Sequence, residues 1–379
     1  MVNARSLSVP GRLKVFLVAG EASGDAYGAA ALKSLQAQCA KCGWELDAVG
    51  WGGDLMEAEG MRLLKHYRTM SFMGFWEVAK HLPTIFRNLQ RAHQDVQREA
   101  PDVVLTLDFP GFNMRLAKAL ARANHPALRV QWVAPQIWAW KPGRAAQLAR
   151  DFHAVAPILP FEQEALERAG VEVWPCGHPL LDVLNTDEEP HDRDLNLVLL
   201  PGSRVQELRA LLPVMMNAAR QGAQAGMWPL DGVVVAGAPG RSISDYAVAQ
   251  RAGLKVVFGQ THTLLRRAQA AWVASGTATL EAALMDTPHV IAYRTSALTY
   301  TLAKRLAQVT HIGLPNLLLQ EEAVPELIQH ECTAQNLLAH TTSGLQDQRK
   351  AFQTLREKLG DRGAAPRLAA RLVSVFAAP

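Results

Sequence analysis

The sequence predicts an α/β protein built from two doubly wound domains. Strand-like apolar runs alternate with helical patterns along the whole chain, which is typical of parallel sheets covered by helices on both faces. The length of 379 residues exceeds the roughly 250–300 residues at which a single core stops growing. A polar, acidic interval at 185–194 interrupts the alternation and indicates a linker.

The predicted strands form one set on each side of this linker. We predict an N-terminal domain over residues 1–184, a C-terminal domain over 195–355, and a helix within 356–379 that packs back on the first domain. Doubly wound sheets bind ligands beyond the carboxyl ends of their strands, so we expect the site in the cleft between the domains. The predicted strands are residues 14–20, 102–108, 129–135, 154–159, 195–204, 232–237, 255–259, 270–277 and 289–293.

The amino-acid composition and net charge limit the classes of protein to which this chain can belong. With 49% hydrophobic and 20% charged residues the chain has the balance of a globular protein. Its formal charge of +4 is too small to indicate nucleic-acid binding, but it fits an anionic membrane surface or phosphorylated substrates. No apolar run approaches the roughly 18 residues of a membrane-spanning helix. Because Lys14 interrupts the first apolar run, we interpret that run as a strand and expect a cytoplasmic location.

The stretch GEASGD at residues 20–25 joins the first strand to its helix. Gly20 and Gly24 allow the backbone to approach a ligand closely. Ser23 and Asp25 can cap the helix, so that its N–H groups and the positive end of its dipole face the site. An ordinary strand-to-helix turn explains the same residues equally well.

A second junction, LLPGSRVQEL at 199–208, repeats this design in the other domain. Gly202 and Ser203 form the turn, and Arg204 follows where a guanidinium would meet a phosphate at a helix start. The alternative is a surface arginine that pairs with Glu207. We favour phosphate binding, because backbone donors and a cation converge there.

The stretch VASGTATLEAALMDTP at 273–288 predicts a nucleotide site. Ser275, Gly276, Thr277 and Thr279 offer hydroxyl and amide groups at a helix start, and Glu281 follows within about two turns. The donors suit a pyrophosphate and the carboxylate suits ribose hydroxyls. The alternative is an ordinary capped helix whose glutamate faces solvent.

Asp108 ends a predicted strand and is followed by FPGFN. A carboxylate at this edge could act as the general base on an attacking hydroxyl, although helix caps occupy similar positions. Metal sites are not indicated, because the sequence has no cluster with ligand spacing such as HxxxH or DxD. We therefore expect neither a metal nor a cofactor.

Residues 70–91 combine large apolar side chains with basic ones. Lys and Arg outnumber Asp and Glu across 61–98, and an apolar stripe at helical spacing precedes a second helix that begins near Pro83. Such a segment is typical of a surface that contacts a membrane, although an internal helix pair with a solvated basic face explains it too. The residues proposed to contact the membrane are Phe72, Met73, Phe75 and Trp76.

A series of short motifs runs in order from residue 19 to residue 329. They are AGEASGD, GGDLMEAEG, SFMGFWEV, LDFPGFN, VAPQIWAW, LPFE, CGHPLLD, LLPGSR, ASGTATLEAAL, IAYR and GLPNLL with VPELIQ. Together they resemble the lipid-A-disaccharide synthase family, a family of inverting glycosyltransferases. The resemblance implies a GT-B architecture of two Rossmann-like domains, with the sugar nucleotide held by the C-terminal domain.

The resemblance also implies a reaction and its residues. The family transfers 2,3-diacylglucosamine from UDP to 2,3-diacylglucosamine 1-phosphate (lipid X) and releases UDP. Its important Asp, Arg and Asn correspond by position to Asp108, Arg204 and Asn316. The chain departs from the family at Gly111, where many members have Asp, so Asp108 is the better candidate base. Glu21, Ser23 and Asp25 are assigned to the acceptor side, and a homodimer is possible.

Both lipid substrates implied by the resemblance carry acyl chains that lie in a bilayer. We therefore expect peripheral contact with the inner face of the inner membrane of a Gram-negative-type bacterium. A UDP-N-acetylglucosamine 2-epimerase, or a transferase with a soluble acceptor, shares the architecture but has no evident need for the segment at 70–91. A two-domain solute-binding protein is the non-enzymatic alternative, and the lack of an export signal counts against it.

Overall fold

The computed structural model describes residues 2–70, 82–135, 143–184, 192–296, 300–301, 310–342 and 345–377. Contacts divide the chain into two compact units. The first unit contains residues 1–183 together with 359–379, and the second contains residues 184–358.

A six-stranded parallel sheet forms the centre of the first unit. Its strand order is β3-β2-β1-β4-β5-β6, so the direction in which strands are added reverses between β1 and β4. The two central strands are buried at nearly every position, as expected for a sheet covered on both faces. The strands are β1 (Arg12–Ala19), β2 (Glu45–Gly52), β3 (Arg62–His66), β4 (Val103–Leu107), β5 (Leu128–Trp132) and β6 (Ala154–Ala156).

Helices connect these strands. The longest, α1, starts directly beyond the carboxyl end of β1 and buries one face that includes Leu32 and Leu35. The helices are α1 (Ala22–Lys41), α2 (Asp54–Ala58), α3 (Leu82–Glu99), α4 (Pro110–Arg122), α5 (Gly143–Asp151), α6 (Glu162–Arg168) and α7 (Leu180–Val183).

Two strands of this sheet were not predicted from the sequence. Glycines interrupt the apolar pattern of β2 in the sequence. Gly50 is nevertheless required there, because a Cβ atom at this position would lie 2.0 Å from the carbonyl oxygen of Leu17 on β1. β3 is a charged, partly exposed edge strand inside the basic segment. Pairing with neighbouring strands therefore stabilises both elements in spite of weak local signals.

The second unit has the same architecture. Its parallel sheet has the order β12-β11-β10-β7-β8-β9, so the reversal lies between β7 and β10. Trp272 and Tyr246 are fully buried in its core. The strands are β7 (Leu195–Leu200), β8 (Val233–Gly237), β9 (Lys255–Phe258), β10 (Ala268–Ala274), β11 (His289–Tyr293) and β12 (Glu326–Ile328), of which the short β12 was not predicted.

Seven helices of the described chain lie between Leu200 and Gly360. They are α8 (Val205–Gln224), α9 (Ala247–Arg251), α10 (Thr261–Arg267), α11 (Thr277–Leu284), α12 (Leu314–Leu319), α13 (Ala334–Thr342) and α14 (Leu345–Leu359). Short 3-10 helices occur at Tyr67–Thr69, Leu230–Gly232, Ile243–Tyr246 and Gln329–Glu331. Within the described ranges, no helix has the length and apolar character needed to cross a membrane.

The last helix, α15 (Ala364–Ala377), belongs to the first unit and packs against α1. The Asp182 carboxylate holds its first turn, accepting hydrogen bonds from the backbone N–H groups of Gly363 at 2.5 Å and Ala365 at 2.6 Å. The Arg367 side chain donates to the carbonyl oxygen of Cys176 at 2.8 Å. A carboxylate at a helix N-terminus satisfies N–H groups that the helix itself leaves unpaired.

We expect Asp182→Ala to lower the free energy of unfolding by about 2–3 kcal/mol, because two N–H groups lose a charged acceptor. Urea unfolding of the full chain, followed by circular dichroism, measures the change. Glu164→Ala is the control, since its carboxylate is 78% exposed and pairs only loosely with Arg168 at 3.4 Å. That variant should change stability by less than about 0.5 kcal/mol, and equal losses for both variants would contradict the role given to Asp182.

Candidate functional site

The reversal point of the first sheet brings two of the predicted motifs together. The turn after β1 begins at Gly20 and the turn after β4 begins at Asp108, and these strands are neighbours. The ring of Phe109 lies so close to Gly20 that a Cβ atom at Gly20 would be 2.4 Å from it. Only glycine allows this contact, so the two turns form one edge.

Asp108 has an unusual backbone conformation at this edge. Its φ is +46°, and Phe109, which precedes α4, has a φ of +47°. Non-glycine residues held in this region cost about 1–3 kcal/mol each and cluster at functional sites. The peptides on both sides of Asp108 are held, because its N–H donates to the carbonyl of Trp132 at 2.9 Å and its own carbonyl accepts from Asn113 at 2.6 Å. The Asp108 side chain is partly exposed.

The predicted acceptor-side residues take different positions. Glu21 is the N-cap residue of α1 and Ser23 lies in its first turn, and both are partly exposed. Asp25 is only 3% exposed, and its carboxylate accepts hydrogen bonds from the backbone N–H groups of Gly53 at 2.8 Å and Met56 at 3.1 Å. Burial raises the pKa of this carboxyl, while the N–H groups oppose the shift.

The interpretation of Asp25 is therefore corrected. Its carboxylate caps α2 rather than α1, and its burial leaves it unsuited to contact an acceptor. The capping of α1 by the Ser23 or Asp25 side chain is also not observed.

In the second unit, the turn after β7 has the predicted glycine geometry. Gly202 has a φ of +104°, and a Cβ atom there would lie 2.5 Å from the carboxylate of Glu207. Arg204 directly precedes α8, and its guanidinium donates to Glu207 at 3.0 Å, the alternative contact left open by the sequence. The Arg204 side chain is 42% exposed, and Ser203 is exposed as well.

The turn after β10, the neighbour of β7, begins at Ser275. Its hydroxyl donates to the carbonyl oxygen of Ile312 at 3.1 Å. Gly276 is exposed and has a φ of +151°, a conformation that essentially only glycine adopts, and Thr277 then starts α11. Thr279 is fully buried, and its hydroxyl donates to the carbonyl of Gly276 at 2.8 Å. Its hydroxyl therefore supports the turn rather than facing a ligand, which corrects that part of the prediction.

Glu281 has a neighbour that the sequence did not reveal. The Nε2 atom of His262, in the first turn of α10, lies 3.3 Å from the Glu281 carboxylate. The Glu281 side chain is 20% exposed, so it does not face solvent as an ordinary surface glutamate would. The only local signal for His262 was its place just after the end of β9.

Asn316 lies in α12 and is fully buried. Its amide nitrogen donates to the Val324 carbonyl at 2.7 Å and to Glu326 at 2.8 Å, and its amide oxygen accepts from the Val324 N–H at 2.9 Å. Both ends of the amide are thus used inside the unit. Direct contact with a nucleotide remains a prediction, and the geometry favours an indirect role.

That indirect role is structural support of the Ser275 turn. Glu326 accepts hydrogen bonds from the backbone N–H groups of Ile312 and Gly313, both at 2.9 Å. Since the carbonyl of Ile312 accepts from Ser275, a continuous series of hydrogen bonds joins Asn316 to the start of α11. No sequence motif indicated that Glu326 takes part.

The proposed membrane residues Phe72, Met73, Phe75 and Trp76 lie outside the described residues. In α3, which follows them, Phe86 is 60% exposed and Arg87 and Arg91 are exposed too. Several basic side chains of the segment have acidic partners: Arg62 pairs with Glu99, Arg68 with Asp54, and both Arg91 and Arg98 with Asp95. These pairs neutralise part of the positive charge counted from the sequence.

Among the residues that the structure describes, no group of three or more His, Cys, Asp or Glu side chains is arranged to hold a metal ion. In each sheet, two turns and two helix N-termini meet at the reversal point. Two α/β units, each with a parallel six-stranded sheet of this kind, are the architecture of the GT-B class of proteins.

Solved structures share this fold. The chain is 11% identical to Methanocaldococcus jannaschii UDP-GlcNAc 2-epimerase in complex with UDP-GlcNAc and UDP, with a TM-score of 0.63 over 96% of this chain and 99% of the other. A UDP co-structure of S. aureus MnaA gives a TM-score of 0.62 at 11% identity, over 95% of this chain and 96% of the other. At these identities the similarity concerns the fold alone.

Sequence relatives identify the family. The model of the lipid-A-disaccharide synthetase family matches residues 15–365. The lipid-A-disaccharide synthase of Syntrophus aciditrophicus is 36% identical and covers 96% of this chain and 97% of its own length. That of Neisseria meningitidis serogroup A is 36% identical over 84% of this chain and 85% of its own. The chain belongs to the lipid-A-disaccharide synthetase family and is a glycosyltransferase of lipid A biosynthesis.

We expect Asn316→Ala to lower the free energy of unfolding by about 2–4 kcal/mol, because the N–H and carbonyl of Val324 would be buried without partners. Urea unfolding measures the loss. Asn217→Ala on the exposed face of α8 is the matched control and should change stability by less than about 0.5 kcal/mol. An Asn316 variant as stable as the control would show that the amide does not support the fold.

Proposed function

We propose that the protein transfers 2,3-diacylglucosamine from its UDP derivative to the 6-hydroxyl of 2,3-diacylglucosamine 1-phosphate. The products are the β-1,6-linked lipid A disaccharide 1-phosphate and UDP, with inversion at the anomeric carbon. Family membership carries this proposal, since the match extends over residues 15–365 and includes both units.

Asp108 is the proposed general base. In a single displacement, the acceptor oxygen forms a bond to the anomeric carbon while the bond from that carbon to UDP breaks, and Asp108 accepts the hydroxyl proton. The support is its position: it follows β4 at the reversal point, where ligands of such sheets bind, and it is partly exposed. Glu21 and Ser23, at the start of α1 beside this edge, are proposed to contact the acceptor.

The second unit is proposed to hold UDP. The backbone N–H groups that begin α8 and α11 lie at the reversal point of its sheet, where helix dipoles favour a diphosphate. Gly202, Ser203, Ser275, Gly276 and Thr277 supply the turns that carry these groups.

Arg204 is proposed to stabilise the charge that develops on the leaving diphosphate. Its pair with Glu207 is partly exposed, and such pairs contribute no more than about 1 kcal/mol, so a phosphate can compete for the guanidinium. Glu281 is proposed to bind the ribose hydroxyls, with His262 fixing the direction of its carboxylate.

Contact with a membrane is a further part of the proposal. Both lipid substrates are held in a bilayer by their acyl chains, and residues 70–91 are apolar and basic. The exposed Phe86, Arg87 and Arg91 on α3 extend this character into the described structure. We propose peripheral binding at the cytoplasmic face of the inner membrane.

We expect the purified protein to release UDP only when the lipid acceptor is present, and mass spectrometry to detect the disaccharide 1-phosphate. Asp108→Asn should lower kcat by about 10²–10⁴-fold because the proton acceptor is lost. Its affinity for UDP, measured by calorimetry, should stay within about twofold, since the base lies in the other unit.

Two results would contradict this account separately. UDP release without acceptor, or no disaccharide product, would contradict the proposed reaction. Disaccharide formation by Asp108→Asn at a rate near that of the unchanged protein would contradict only the role of Asp108.

We expect the triple variant Phe72→Ser, Phe75→Ser, Trp76→Ser to bind phosphatidylethanolamine–phosphatidylglycerol vesicles at least about tenfold more weakly, because three large apolar groups no longer enter the interface. Co-sedimentation measures the binding. The matched control changes three exposed apolar residues elsewhere, Val9, Ile243 and Val248, to Ser. Equal vesicle binding by the two variants, both folded, would rule out residues 72–76 as the contact.

A further inference from the structure

Gln131 is a fully buried glutamine in β5, the strand next to β4. Its neighbours Val130 and Trp132 are buried and apolar. An amide in such surroundings is favourable only when its polar atoms have partners. The partners of Gln131 all lie at or near the carboxyl edge where Asp108 is found.

The amide nitrogen of Gln131 connects the two turns that leave β4 and β5. It donates to the carbonyl oxygen of Asp108 at 3.0 Å and to that of Val133 at 3.0 Å. Both residues have positive φ values, +46° for Asp108 and +69° for Val133. A β-branched residue rarely adopts this conformation, so both turns need support from outside their own backbone.

The orientation of the amide follows from chemistry. Carbonyl oxygens only accept hydrogen bonds, so the NH₂ group must face Asp108 and Val133. The amide oxygen then faces the hydroxyl of Thr106, which donates to it at 2.6 Å. Thr106 is itself buried in β4, two residues before Asp108. The side chain is thus held at both ends.

We propose that Gln131 is a positioning residue that sets the direction of the Asp108 carboxylate. It holds the peptide that follows the Asp108 Cα atom, and a rotation of that peptide would swing the side chain away from the acceptor hydroxyl. Proton transfer requires a heavy-atom distance of about 2.6–3.2 Å, and a displacement of about 1 Å can lower the rate about 100-fold. This inference rests on the proposed role of Asp108 as general base.

The test is Gln131→Met, which keeps the length of the side chain and removes its hydrogen bonds. We expect kcat to fall about 30–100-fold while KM for the UDP-sugar changes less than about twofold, because the nucleotide is bound in the other unit. Thr106→Val is the milder variant, because it leaves the amide donors in place, and it should lower kcat about 3–10-fold.

Gln348→Met is the matched control. Gln348 is 2% exposed. Its amide oxygen accepts from the N–H of His289 at 2.9 Å, and its amide nitrogen donates to the carbonyl of His289 at 3.0 Å. His289 begins β11, so this glutamine lies at the opposite edge of its sheet from the candidate site. We expect Gln348→Met to lower the thermal midpoint about as much as Gln131→Met, with kcat within about twofold of the unchanged protein.

A double-mutant cycle with Asp108→Glu separates positioning from general destabilisation. In the Asp108→Glu protein the carboxylate is already displaced. If Gln131 acts through the carboxylate, adding Gln131→Met to that protein should lower kcat by less than about threefold. The same fold-loss in both backgrounds would overturn the proposal, and so would equal kcat losses for Gln131→Met and Gln348→Met. An Asp108→Asn protein that keeps its activity would instead contradict the base assignment itself.

Discussion

The peptide that joins Asp108 to Phe109 is the point on which the edge of the first sheet depends. Two consecutive residues with positive φ end β4 abruptly, so that α4 starts at the reversal point of the sheet. This conformation is unfavourable for residues with a side chain. It persists because Asn113 and Gln131 donate to the carbonyl of this peptide, while the N–H of Asp108, in the preceding peptide, donates to the carbonyl of Trp132. Strain that is held this firmly is typical of a site where one side chain must point in one direction.

The same constraint explains the contact with the turn after β1. Because Phe109 is turned toward Gly20, the two central turns of the sheet pack directly on each other. The acidic side chain of Asp25 stabilises the next turn along the edge by capping α2. The acidic and polar residues of the GEASGD motif therefore divide into two groups, with Glu21 and Ser23 partly exposed and Asp25 buried as support.

The second unit also has sharp turns at the reversal point of its sheet, but glycines form them. Gly202 and Gly276 adopt positive φ without a side chain, so these backbone conformations carry little strain of their own. The exposed helix starts are well suited to anions, because parallel strands bring several helix N-termini to one edge. Behind them, Asn316 and Glu326 hold the segment that receives the hydroxyl of Ser275.

The sequence by itself determined the α/β class, most strands, the turns at the two sheet edges and the family, since these depend on local periodicity and on short motifs. It did not reveal β2, β3 and β12, whose stability comes from pairing with strands already in place. Only the tertiary structure decided which polar side chains are used inside the protein. The Asp25 carboxylate accepts a hydrogen bond from the N–H of Gly53. The amide of Gln131 donates to the carbonyl of Asp108, and the amide of Asn316 donates to the Glu326 carboxylate. Such partners are separated along the chain, and they meet only when packing and strand register set the direction of each side chain.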